Sequence, residues 1–203
     1  MKFLITILLI ASSQSIYAQY VKEQYGNGLL KAEGEKNNDL KTGEWKFYYP
    51  NGIIQAIEYY SDGKLNGIAT SYDFVGILQS RENWENGSLE DSAFYYHTNQ
   101  LMKRKGIYKK SQYEGVWLSF YSSGLLKKEL EYTNGLPDGK WLFYSDKGVL
   151  LQRGYYSQGK ENGHWEFYST KGKLTYKGEY LDGIKVGDWI EIIRGKEKPY
   201  KYN

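Results

Sequence analysis

The chain has 203 residues, of which 17% are aromatic, with 22 Tyr, 6 Trp and 23 Gly. So many rings to bury exclude an intrinsically disordered chain, and their company of Gly favours β structure with tight turns. A net charge of +3 leaves no clustered basic footprint for nucleic acid, and the lack of Cys excludes disulfides, thiolate metal sites and a Cys nucleophile.

Residues 1–18 have the layout of a signal peptide. Lys2 supplies the positive start, Phe3 to Ala11 is an apolar run too short to span a bilayer, and Ser12 to Ala18 turns polar and ends on a small residue. The expectation is cleavage near Ala18 and export to periplasm, cell surface or medium.

A repeat of 24 residues follows. Residues 19–42 form a partial unit, or cap, with Gly28, Leu30 and Gly34 in phase. Residues 43–190 hold six units and a final strand. Gly43, Gly67, Gly115, Gly139, Gly163 and Gly187 recur in register, with Asp91 in the missing place. Two residues later stand Trp45, Trp117, Trp141, Trp165 and Trp189, with Ala69 and Ala93 in the second and third units. Five after the Gly come Tyr48, Tyr72, Tyr96, Phe120, Tyr144 and Tyr168, and each unit closes on Tyr60, Trp84, Tyr108, Tyr132, Tyr156 or Tyr180. Residues 191–203 are a Lys-rich tail, expected to be frayed.

Each unit predicts two short strands and a tight turn. Asn51-Gly52 signals a two-residue hairpin loop with both residues at positive φ, and Asp62-Gly63, Asn86-Gly87 and Asn134-Gly135 offer the same chemistry at the other end. With that loop, Trp141 lies opposite Gly154 and Trp165 opposite Gly178, so that a ring covers a bare strand position. The match weakens at Trp117, opposite Leu130, and at Trp45, opposite Glu58. The expected fold is all-β: an elongated single-layer antiparallel meander of six to seven hairpins, about 60–70 Å long. Trp45, Trp117, Trp141, Trp165, Trp189, Gly154 and Gly178 are assigned to structure. Tyr48, Tyr72, Tyr96, Phe120, Tyr144 and Tyr168 form a second, more polar aromatic row on the opposite face, the candidate binding strip.

The run Gly139-Lys140-Trp141-Leu142-Phe143-Tyr144, with Gly148-Val149-Leu150, Tyr156 and Gly159, resembles the MORN repeat in its bacterial variant form. The resemblance covers Gly28 to Trp189. It implies a single-layered hairpin array that serves as scaffold, oligomerisation module or membrane-proximal binder; some bacterial relatives are labelled antitoxins, which implies an immunity-like role. Ala69, Ala93, Asp91, Gln100 and Ser111 depart from the pattern. Gly-x-Trp-x-x-Tyr-Tyr is also similar to the repeats of choline-binding wall modules, but the steady 24-residue period argues against them.

No catalytic constellation emerges. His97 and His164 lie in different units, Glu82, Glu85, Glu90 and Asp91 are the one acidic cluster of interest, and the glycines recur as turns rather than as a phosphate cradle. The expectation is therefore a non-enzymatic binder with no cofactor, no metal and no nucleic acid. A protein partner at the cell envelope comes first, and a wall glycan or membrane surface second.

Overall fold

A computed structural model describes residues 18–200, which form strands and turns only. The expected signal peptide thus lies, but for Ala18, outside the described residues, as do residues 201–203. Among the described residues no helix is long and apolar enough to cross a membrane.

Seventeen strands follow in order: β1 Gln19–Gln24, β2 Leu30–Asn37, β3 Leu40–Tyr48, β4 Ile54–Ser61, β5 Lys64–Leu65, β6 Gly67–Tyr72, β7 Leu78–Glu85, β8 Ser88–Tyr96 and β9 Met102–Lys109. Then come β10 Gln112–Phe120, β11 Leu126–Thr133, β12 Leu136–Tyr144, β13 Leu150–Ser157, β14 Lys160–Tyr168, β15 Leu174–Leu181, β16 Ile184–Ile193 and β17 Lys196–Tyr200. Each strand pairs antiparallel with the next, β5 and β6 acting as one interrupted strand against β4, to give an open meander. The expected hairpin array is what forms. The tail departs from expectation: β17 pairs Tyr200 with Trp189 and Lys196 with Ile193, so ladder bonds hold it.

Two kinds of turn alternate. At one edge Asp62-Gly63, Asn86-Gly87 and Asn134-Gly135 have both residues at positive φ and join paired residues such as Ser61 and Lys64 directly. These are the two-residue turns that suit the twist of a hairpin. At the other edge the expected two-residue loop is wrong. Gly52 N–H donates to the Tyr49 carbonyl and Tyr49 N–H to that of Ile53; Gly52 alone is left-handed, at φ 83°. This is a three-residue loop, a type I turn closed by a left-handed Gly, which Pro50 favours by fixing its own φ. A bulge between Phe47 and Tyr48 absorbs the extra residue. Beyond it the expected register returns: Trp45 faces Glu58, Trp117 faces Leu130, Trp141 faces Gly154 and Trp165 faces Gly178.

Both edges are bonded from unit to unit. Gly63, Gly87, Gly135, Gly159 and Gly183 donate their N–H groups to carbonyls of the preceding unit, from Lys41 to Glu161. On the opposite edge the hydroxyls of Tyr25, Tyr49 and Tyr121 donate to the carbonyls of Tyr48, Tyr72 and Tyr144. His97 stands in that same phase, and its Nε2 donates to the Phe120 carbonyl at 3.0 Å. Its role is that of the tyrosines it replaces.

A single layer has no second sheet to bury its core, so the rings lie flat on one face. Trp45, Trp117, Trp165 and Trp189 are buried there, with the closing tyrosines edge-on against them, as for Tyr108 and Trp117 at 5.0 Å or Tyr180 and Trp189 at 5.0 Å. Lys41 lies 4.6 Å over Trp45, and Lys185 4.5 Å over Trp189. These cations cover the outer side of the rings with their stems and hold their charge to the π face.

Candidate functional site

The tryptophan face is built on one row that crosses the whole sheet. In strand order it reads Gly34, Trp45, Glu58, Ala69, Glu82, Ala93, Gly106, Trp117, Leu130, Trp141, Gly154, Trp165, Gly178, Trp189, Tyr200. The ring that covers each Gly comes from the strand that follows it. A Cβ at Gly154 would lie 2.2 Å from Trp165, and one at Gly178 2.3 Å from Trp189; Gly34 and Gly106 meet Trp45 and Trp117 in the same way. The expected facing pair was thus right in register, but the indole leans back over the previous strand. Its N–H then reaches a carbonyl one residue beyond that Gly: Trp45 to Glu35, Trp117 to Ile107, Trp165 to Tyr155 and Trp189 to Glu179, at 2.9–3.1 Å.

Trp141 shows why the Gly is needed. Leu130 holds the position eleven residues before it and is buried at 3% exposure. The indole has no bare strand to lie on, and its N–H goes to the Gln152 side chain at 3.3 Å instead. Backbone conformation follows: Gly43, Gly115, Gly163 and Gly187, each two residues before one of the four covering indoles, have φ between 62° and 72°, whereas Gly139 has φ 122°.

In the second and third units both members of the pair are exchanged. Glu58 and Glu82 replace the Gly where Ala69 and Ala93 replace the Trp, and each Glu keeps a tyrosine hydroxyl as partner: Tyr60 at 2.5 Å, Tyr95 at 2.6 Å. The backbone survives the other departures. Asp91, Gln100 and Ser111 take φ values of 61°, 65° and 62°, the left-handed conformation that Gly adopts elsewhere. The array therefore keeps its ladder through this stretch and loses only the flat indoles, which opens a cleft of about 440 Å³ lined by Ser71, Gln79, Ser80, Tyr95, Tyr96, Lys103 and Arg104.

The acidic cluster does not converge. Glu82 is engaged by Tyr95, Glu90 accepts the Lys110 N–H and Asp91 the Ser92 hydroxyl. Among the described residues no three His, Cys, Asp or Glu side chains come together as a metal would require. His164 is half exposed between Glu166 and Glu179 on the second face.

That second face carries the candidate tyrosine row. Tyr48, Tyr72, Tyr96, Phe120, Tyr144 and Tyr168 are all half-buried. Tyr48 donates to Glu33 and Tyr168 to Glu166, both at 2.6 Å. The Tyr48 hydroxyl is held up to about 12, by burial first and then by Glu33, whose carboxylate is held below its ordinary range chiefly by that bond. Ion pairs occupy both ends of this face: Lys22–Glu33 and Lys46–Glu44 at one, Lys140–Glu129, Arg153–Glu166 and Lys177–Glu197 at the other. The middle differs. There Ile57, Thr70, Arg81, Phe94, Lys105 and Leu118 stand opposite one another on successive strands, beside exposed Ile107 and Val116. Among the described residues no acidic side chain lies within 4.0 Å of Arg81 or Lys105. Sequence reasoning missed this patch, because the face of each residue becomes known only once the bulges are placed.

Four units carry an intact Gly-x-Trp signature, at 43–45, 115–117, 139–141 and 163–165. Those units match the MORN repeat variant, over residues 41–62, 113–134, 137–158 and 161–182. The MORN repeat variant segments leave out the stretch with Ala69 and Ala93. No curated protein matches the chain. Among solved structures, a chain of the crystal structure of TcdB2-TccC3-Cdc42 is 15% identical, with 84% of this chain and 12% of that one covered and a TM-score of 0.22.

Proposed function

We propose that this chain is an exported, non-catalytic scaffold that docks a protein partner at the cell envelope through the second face of its first to fourth units. The observation that carries this is the central patch of exposed Ile107 and Val116 with half-buried Ile57, Phe94 and Leu118 around Arg81 and Lys105, on a face whose two ends carry ion pairs. Exposed apolar area rimmed by charge is a docking surface, and two cations with no acidic neighbour select an acidic partner. Export rests on the layout of residues 1–18. Immunity-like neutralisation of a partner protein would use the same surface.

The test is affinity capture from envelope extracts with the chain lacking residues 1–18, in three forms. A discrete protein retained by the wild type and by Lys177→Glu, but lost with Arg81→Glu/Lys105→Glu, supports the proposal. Cosedimentation with purified wall or lipid vesicles and no protein captured overturns it in favour of a surface binder. Mass spectrometry of the mature chain checks export: an N-terminus at Gln19 is expected.

A further inference from the structure

Beside the tryptophan row, on the same face, runs a second row with Phe47 at one end and Phe143, Phe167 and Tyr176 at the other. Between them six consecutive strands present Ser71, Ser80, Tyr95, Arg104, Ser119 and Lys128 opposite one another. Five strand intervals make this polar stretch about 24 Å long. The 440 Å³ cleft opens along its first half, and a second of about 160 Å³, lined in part by Arg104, Ser119 and Lys128, continues past Arg104. The larger volume lies within the range of small-ligand sites.

Arg104 is set in place at the junction. Its guanidinium lies 4.0 Å over the ring of Tyr95, and Nη1 donates to the Tyr113 hydroxyl at 3.0 Å. Tyr95 is itself fixed by Glu82 at 2.6 Å and faces the Tyr108 hydroxyl at 3.2 Å. A guanidinium has five N–H donors in a rigid fork, so most remain for a planar anion. Among the described residues no acidic side chain lies within 4.0 Å of Lys103, Arg104 or Lys128. Ser71 and Ser80 share one hydroxyl hydrogen across 2.7 Å, which leaves the second to donate elsewhere. No aliphatic side chain lines the larger cleft.

We propose that this trough binds a short acidic oligosaccharide, with a ring carboxylate on Arg104 and hydroxyls on Ser71, Ser80 and the amide oxygen of Gln79, whose amide nitrogen is held by Asp73. The polar lining both donates and accepts, as sugar hydroxyls do, whereas an acidic peptide offers side chains that only accept. A peptide strand would also need a free sheet edge, and the trough lies on a face whose backbone groups are already paired. The row of Ser71, Ser80, Tyr95 and Arg104 is on the opposite face from Arg81, Phe94 and Lys105, so either proposal can fail alone.

Calorimetric titration of the chain lacking residues 1–18 tests it with tetragalacturonate, cellotetraose and tetraglutamate as probes. Saturable binding of tetragalacturonate alone is expected, weakened at least about tenfold by Arg104→Gln. Ser80→Leu, which fills the cleft and leaves residue 104 an arginine, reports the same loss should Arg104→Gln fail to fold. The proposal is overturned by no saturation up to about 10 mM, by cellotetraose or tetraglutamate binding as tightly, or by binding that survives in a folded Arg104→Gln or Ser80→Leu chain.

Discussion

The last units of the array and its second and third units share one backbone and solve different problems with it. In the sixth unit and the final strand the indoles of Trp165 and Trp189 each lie over a Gly of the strand before and tie their N–H to that strand, so the face is closed by aromatic area. In the second and third units Glu and Ala take those places, and the face opens onto hydroxyls and a stacked arginine. The difference teaches that the ladder and the edge bonds carry the fold, whereas the indoles add stability that a unit can forgo. What is forgone in one place becomes surface chemistry.

The comparison can be broken most severely at an intact pair. Trp165→Ala is expected to cost roughly 3–5 kcal/mol, read by urea denaturation. Hydrogen exchange in the same variant should rise in β13 to β15 more than in β6 to β8, since neighbours carry stability in a repeat array. Next comes Gly154→Val, whose Cβ has no room against Trp165 and is expected to cost about 2 kcal/mol by overpacking. Glu82→Val, in the row position of Gly154 but facing Ala93, should cost less in the same denaturation series. A result in the opposite order would end the distinction between the two regions.

Rebuilding sharpens the contrast. Glu58→Gly and Ala69→Trp together should recreate a covered pair, with coupling of about 1 kcal/mol beyond the sum of the single changes in a double-mutant cycle. Tyr48→Phe removes the hydrogen bond that holds the Glu33 carboxyl low, at a cost on the order of 1 kcal/mol near neutral pH. Because the native pKa of Glu33 is depressed, its stabilisation is complete above the ordinary carboxylate value and fades as pH falls through the lower native one. The wild type should therefore lose more stability than Tyr48→Phe over that acid range, by thermal melts at stepped pH. The smallest effect is expected at Trp84, whose buried Nε1 has no hydrogen-bond partner. Trp84→Phe removes that donor and should change stability by less than about 1 kcal/mol, in the stabilising direction.

Much of this was legible in the sequence, for physical reasons that differ by position. The 24-residue period places every turn, because left-handed residues leave a visible trail of Gly, Asn and Asp. Far from the loops the register follows, as at Trp141 and Gly154. The loop itself departs from the dipeptide signal: Asn51-Gly52 signals a two-residue turn, but Pro50 just before it suits the longer one that forms. Which neighbour an indole covers depends on the bulge at Gly187 or Gly163, and facing pairs alone do not reveal it. The exchange of Gly for Glu eleven residues before each Ala was a usable signal, since Glu58–Ala69 and Glu82–Ala93 stand at the spacing of Gly154–Trp165. His97 could have been read in the same way, from its phase with Tyr25, Tyr49 and Tyr121. The candidate tyrosine strip and the central patch share a face, but only the structure separates half-buried rings from exposed Ile107 and Val116.

The edge bonds set a rule for how such a chain can grow. Each one joins a residue to a carbonyl 22 or 23 positions away, on the neighbouring unit. A duplicated segment of one whole period presents every donor with an acceptor, whereas an insertion one residue longer or shorter leaves both margins of the sheet mismatched. Length in this architecture is quantised, and a gene encoding it can lengthen by copying but not by drift.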